Sequence, residues 1–241
     1  MASDPTILAT SGGYRPGSRT MLEFNLLVEH AVTLSGATGR RPRIGYLGTA
    51  IGDQEFYAHR LTEAARVAGF DLTEVRLFPM PNVSDIQATL SEQDVVWVTG
   101  GSVANLLAVW RVHGLDDIFR TVWQRGVVLA GVSAGSICWF TGGCTDSFGP
   151  DLQPVTNGLR LLPYANGVHY DHEEQRRPTI HRLVADGVLG ETHCTDDGVG
   201  LHYRGTDLVE AVAERDHAYA YRVTKVGAQV VEEQLPTRRL G

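Results

Sequence analysis

Ser133 stands between Gly131 and Gly135 in the stretch LAGVSAGS (129–136), where an apolar run gives way to a helix-like one. In such a G-x-S-x-G turn any side chain beside the serine would strike the neighbouring strand or helix. The turn also lifts the hydroxyl out of the fold and sets backbone N–H groups at a helix start beside it. Those N–H groups can hold the oxyanion of a tetrahedral intermediate, at about 3 kcal/mol per donor. The plainer reading, small residues filling a tight turn, fits the glycines but leaves the serine without a task.

A serine nucleophile needs a base, normally histidine, and the histidine needs an acceptor to orient it. The chain has 9 histidines. His30, His59 and His113 fall in helical stretches and read as surface or helix-end residues. His169, His172, His193, His202 and His217 lie downstream of Ser133, and spacing does not choose among them. The cluster His169, Asp171 and His172, with His193 and Cys194, also has metal-ligand types, but it lacks the helical HExxH context, so no metal and no cofactor are expected. Glu173 and Glu174 read as the acidic first turn of a following helix.

The elements that must carry these residues alternate. PTILAT (5–10), RIGYLGTA (43–50), LTEVRLF (72–78), DVVWVTGG (94–101) and GVVLAGV (126–132) read as strands. Between them, 20–34, 53–70, 102–113 and 115–125 have helical spacing, and 173–187 reads as a further helix with Pro178 near its first turn. Apolar strands alternating with helices imply an α/β fold, a mostly parallel sheet with helices on both faces. The last segments, GVGLHY, LVEAVA, HAYAYRV and AQVVEE, read as a C-terminal antiparallel β meander. The expectation is a single domain over 1–241 with a mobile tail at 235–241. In such a sheet ligands gather at the carboxyl ends of strands, where Gly100-Gly101 and Ser133 both fall.

The bulk numbers narrow the partners. A net charge of −7 argues against nucleic acid, and no apolar run reaches membrane-spanning length. With 3 cysteines, no paired spacing and no leader-like N-terminus, a cytoplasmic location is the expectation. Exposed edges in the meander are surfaces on which two copies could pair as a homodimer.

Taken together, V-T-G-G-S-V-A-N-L-L at 98–107, L-A-G-V-S-A-G-S at 129–136, G-L-R-L-L-P at 158–163, G-V-H-Y at 167–170 and D-D-G-V at 196–199 span most of the chain. In order and spacing the chain resembles the peptidase E and cyanophycinase family of serine peptidases, which have a class I glutamine-amidotransferase-like fold, and it most resembles the peptidase E-like members. The resemblance implies Ser133 as nucleophile, His169 as base and Asp197 as the acidic member, where the best-known members have glutamate. It implies an oxyanion hole at the Gly101 and Ala134 amides. Asp146 is the competing acid; Asp196 reads as a turn cap.

The resemblance further implies hydrolysis of small peptides, foremost dipeptides with an N-terminal aspartate. Selecting a carboxylate calls for a cation, ideally a bidentate arginine; Arg176 is preferred over Arg177. The chain has Gly-Gly-Ser where many relatives have Gly-Gly-Asn. Cyanophycin or another small amide is the alternative substrate, and a non-catalytic ligand-binding protein of the same fold is the alternative function. A Ser, acid, His order, as in α/β-hydrolases, would instead pair Asp146 with His202 or His217.

Overall fold

The computed structural model describes residues 4–172 and 174–241. In chain order, β1 (Thr6–Thr10) precedes a ribbon of β2 (Tyr14–Arg15) and β3 (Glu23–Phe24), then α1 (Leu26–Ser35), β4 (Arg43–Leu47), α2 (Glu55–Ala68), β5 (Asp71–Glu74), α3 (Ile86–Ser91) and β6 (Val95–Val98). There follow α4 (Val103–Val112), α5 (Leu115–Gln124), β7 (Val128–Val132), α6 (Ala134–Ile137), β8 (Gly142–Thr145), β9 (Gln153–Val155), β10 (Ala165–Gly167) and α7 (Arg176–Ala185). The chain ends with β11 (Thr192–Thr195), β12 (Val199–Arg204), β13 (Asp207–Ala213), β14 (Ala220–Val226), β15 (Gln229–Leu235) and β16 (Thr237–Arg239).

Among the described residues, eight strands form the main sheet in the order β16-β13-β12-β1-β7-β6-β4-β5. The block β1-β7-β6-β4-β5 is parallel throughout, and β12 joins β1 antiparallel. Its inner strands are apolar on both faces because both are covered. Leu8, Ile44, Val95 and Val128 pack against Leu27 and Val28 of α1 and Leu61 and Ala65 of α2. Ile7, Val96, Val98 and Leu129, on the other face, meet Trp110, Phe119 and Trp139. A second sheet, β15-β14-β11-β10-β8-β9, carries its own core beneath α7, built on Ile180, Leu183 and Val184.

The expected meander is present as two hairpins, closed at Gly205 and Gly227 in left-handed conformations. They separate: β12–β13 extends the main sheet, whereas β14–β15 extends the second. The C-terminal stretch, expected to be mobile, forms β16 along β13, and Leu240 is buried behind it. The first helix starts at Leu26 rather than residue 20, because Glu23 and Phe24 pair with β2 and Asn25 Oδ1 accepts the Leu27 and Val28 amides as a cap. The helix read from residue 173 begins at Arg176; Glu173 lies outside the described residues. Pro178 is the third residue of α7, where its missing N–H costs nothing.

Candidate active site

Ser133 joins β7 to α6 with φ 57° and ψ −112°, a conformation that side-chain-bearing residues rarely adopt. Close packing maintains it. A Cβ on Gly135 would lie 2.3 Å from the Val98 carbonyl oxygen, and one on Gly131 would lie 2.6 Å from the same atom. The elbow therefore presses backbone against β6, and only glycines permit it. The Ser133 N–H donates to Thr10 O at 3.0 Å, and the Ser133 carbonyl accepts the Ser136 and Ile137 amides.

His169 follows the end of β10 and is also left-handed, with φ 53°. Its N–H donates to Ser11 Oγ at 3.0 Å. Its ring Nδ1 lies 2.5 Å from Asp197 Oδ1. Asp197 follows β11 and is held by its backbone: its N–H donates to Asp171 Oδ1 at 2.8 Å, and its carbonyl accepts Arg215 Nε at 2.6 Å. Arg215 also bonds the Asp171 carboxylate, which closes the loop. Burial by itself would raise the Asp197 carboxyl, but the hydrogen bond from His169 and the nearby charges of His169, His172 and Arg215 outweigh it and leave the group below its ordinary value. An ionised Asp197 takes the Nδ1–H of His169, so Nε2 carries the lone pair of the neutral ring.

Ser133 and His169 line one pocket of about 390 Å³ with Gly101, Ser102, Asp146, Ser147 and Arg176. The pocket lies where the carboxyl ends of strands from both sheets meet, consistent with the general rule for parallel sheets. Gly101 has φ 135°, and a Cβ there would come within 2.4 Å of the Ala50 carbonyl oxygen. Among the described residues, neither the Gly101 nor the Ala134 amide donates to another protein group. Arg176, only 3% exposed, donates Nη1 to Cys144 O at 2.7 Å. Arg177 turns away instead: it pairs with Glu232 at 2.9 Å and stacks over Tyr170 and Tyr221.

The remaining sequence candidates fall elsewhere. Asp146 lines the pocket but is exposed, and the acceptor beside His169 is Asp197. Asp196 is buried and accepts the Tyr219 N–H at 2.9 Å, a bond to a distant segment rather than the local turn cap expected. His193 is held by Tyr203 Oη and Glu191, His202 sits beside Glu210, and His217 is exposed outside the pocket, so the Asp146 pairing with His202 or His217 is not assembled. His169, Asp171, His172, His193 and Cys194 do not converge as a metal cluster among the described residues. Ser11, Ser147 and Arg215 belong to the site or its support and were not anticipated. For Ser11 the one signal is its place at the carboxyl end of the first strand.

The model of Peptidase family S51 matches residues 7–211. The chain is 37% identical to a protein of Bacillus subtilis (strain 168) named as the uncharacterized peptidase YgaJ, over 98% of this chain and 99% of that one. It is 28% identical to Peptidase E of Streptomyces coelicolor (strain ATCC BAA-471 / A3(2) / M145), over 59% of this chain and 58% of that one. Among solved structures, a peptidase from an acI-B1 Actinobacterium superposes with a TM-score of 0.69 at 17% identity, covering 98% of this chain and 96% of that one, a likeness of fold.

Proposed function

The chain belongs to peptidase family S51 and is a serine-type peptidase; from that premise we propose that it cleaves small peptides, foremost dipeptides with an N-terminal aspartate, through an acyl-enzyme on Ser133. The observation that carries this reading is the joint lining of one pocket by Ser133, His169 and the buried Arg176.

In this mechanism Ser133 Oγ attacks the scissile carbonyl carbon as its proton passes to His169 Nε2. Asp197 holds the ring by Nδ1 and stabilises the imidazolium that forms. The Gly101 and Ala134 amides, which have no other acceptor among the described residues, receive the oxyanion. His169 then protonates the leaving amine, the C–N bond breaks, and the acyl group stays on Ser133. Water attacks the ester with His169 again as base, and the acid product leaves.

Specificity rests on the pocket's two charges. Arg176 offers a cation to a substrate side-chain carboxylate, and a planar guanidinium discriminates carboxylate from amide by paired hydrogen bonds. The exposed Asp146, which also lines the pocket, offers a carboxylate to the substrate's ammonium group. Together they favour a substrate with a free amino terminus and a short acidic side chain.

A fluorophosphonate probe tests the nucleophile: it should label the wild-type protein and spare Ser133→Ala. A panel of Asp-X, Glu-X, Asn-X and β-Asp-Arg dipeptides tests the rest, with Asp-X expected to turn over fastest. Labelling at a residue other than Ser133, or preference for Asn-X, would replace this reading.

A further inference from the structure

Away from the pocket, His30 of α1 lies beside His202 of β12 and Glu210 of β13. His202 and Glu210 are paired across β12 and β13, and the ladder shifts register just after His202, a bulge of the kind that re-aims side chains. His202 is 2% exposed, and both its ring nitrogens are buried without a hydrogen-bond partner. The Nε2 of His30 is in the same state. Buried imidazole nitrogens normally find partners, so three together need an explanation.

The spacing supplies one. Glu210 Oε1 lies 3.7 Å from His30 Nε2 and 3.6 Å from His202 Nδ1. Both separations are too long for good hydrogen bonds, and too short to admit a water between the atoms. They approach the separation of about 3.3 Å between two ligands of one tetrahedral zinc ion. Arg238 grips Glu210 through Nε to Oε2 at 2.8 Å and Nη2 to Oε1 at 3.0 Å, which fixes the carboxylate's orientation as outer partners of metal ligands do. Its positive charge opposes a cation; the carboxylate between them offsets that repulsion, and Oε1 keeps a second lone pair. Burial also favours the neutral imidazoles, the form that ligates metal.

We propose that His30, His202 and Glu210 form a binding site for a zinc-class divalent cation, with water as the fourth ligand, fastening α1 to the β12–β13 hairpin. Two imidazoles and one carboxylate suit Zn²⁺ and its borderline neighbours better than Mg²⁺ or Ca²⁺, which prefer all-oxygen sites. His30 lies on α1, far in sequence from the hairpin that carries His202 and Glu210, so the ion would act as a cross-link between them. The side chain of Glu210, 28% exposed, leaves a route from solvent.

The test uses the full chain stripped with chelator and titrated with Zn²⁺, and with Co²⁺ as a spectroscopic stand-in. One equivalent should bind, raise the unfolding midpoint, and give the intense visible bands of low-coordinate Co²⁺. Glu210→Gln and His30→Gln, both less buried than His202 and so better placed to survive substitution, should each weaken binding at least about tenfold and abolish the midpoint shift. His169→Gln should leave both unchanged. Absence of a one-equivalent site, binding that survives both ligand variants, or binding lost in His169→Gln would each overturn the proposal.

Discussion

Ser11 Oγ accepts the backbone N–H of His169 at 3.0 Å, while the carbonyl of the adjacent Thr10 accepts the N–H of Ser133 at the same distance. Two consecutive residues at the end of β1 therefore index the candidate nucleophile and base, which are far apart in the chain and sit on different sheets. Ser11 also lies 2.7 Å from Thr195 Oγ1, and its carbonyl accepts the Gly198 N–H next to Asp197. Ser11 is not among the residues that line the pocket and acts through His169; it is a positioning residue.

Ser11→Ala leaves the His169 N–H without its acceptor at a left-handed position. Since small misplacements at a reacting centre cost up to a hundredfold, kcat should fall about tenfold with KM nearly unchanged. Ser11→Thr keeps the hydroxyl and should recover most of the rate. A structural role alone would lower the unfolding midpoint without splitting kcat from KM, so steady-state kinetics on folded protein decides.

The two carboxylates near the pocket separate by what they touch. Asp197 contacts the His169 ring and Asp146 does not. Asp197→Asn should reduce kcat by about a thousandfold or more, because an amide neither fixes the tautomer nor stabilises imidazolium. Asp146→Asn should act mainly on KM, through the substrate's ammonium group. The opposite ranking in steady-state kinetics would transfer the acid's role to Asp146.

How much of this was legible follows from what each residue acts on. The elbow was readable because Gly131 and Gly135 answer a steric demand that sequence displays directly, and β1, β4, β6 and β7 were readable as continuous apolar runs. The second sheet was not. Its strands β9 and β10 have three residues each, and β8 begins Gly142-Gly143, so no period could form. The hairpins were marked by their turn glycines, yet alternation reports which face is buried and not which sheet accepts the edge. Asp197 came from resemblance, and only the fold separates it from Asp146. Ser11 escaped because a hydroxyl bonding a distant backbone amide leaves no pattern.

Arg176 can be tested by a ratio that is indifferent to the amount of folded enzyme. Lysine keeps the charge of Arg176 but loses the fork that bonds two carboxylate oxygens. The Arg176→Lys variant should therefore cut the preference for Asp-X over Asn-X, measured as a ratio of kcat/KM values, by about tenfold or more. An unchanged ratio would leave Arg176 a structural role, which includes its bond to Cys144 O.

His193 provides a test of stability against pH, independent of the catalytic reading. It is 1% exposed, stacked on Tyr164, with Nδ1 at Tyr203 Oη and Nε2 at Glu191. Burial pushes its pKa below the usual value, against the raising influence of Glu191 and with Arg222 adding to the fall. Between that lowered value and about 6.5 the unfolded chain binds a proton that the native state does not, so stability rises with pH across the window. Cooling of stability on acidification thus begins as pH drops through the ordinary histidine range and stops once the native ring protonates. Urea unfolding from pH 7.5 down to 5.0, with chelator present to keep His30 and His202 free of metal, should show the loss. The limiting slope for one group is about 1.4 kcal/mol per pH unit. His193→Gln, which retains a polar partner for Tyr203, should lower the slope and leave the share contributed by His30 and His202, whose pKa values burial also lowers; an equal slope in variant and wild type would assign the pH dependence to other residues.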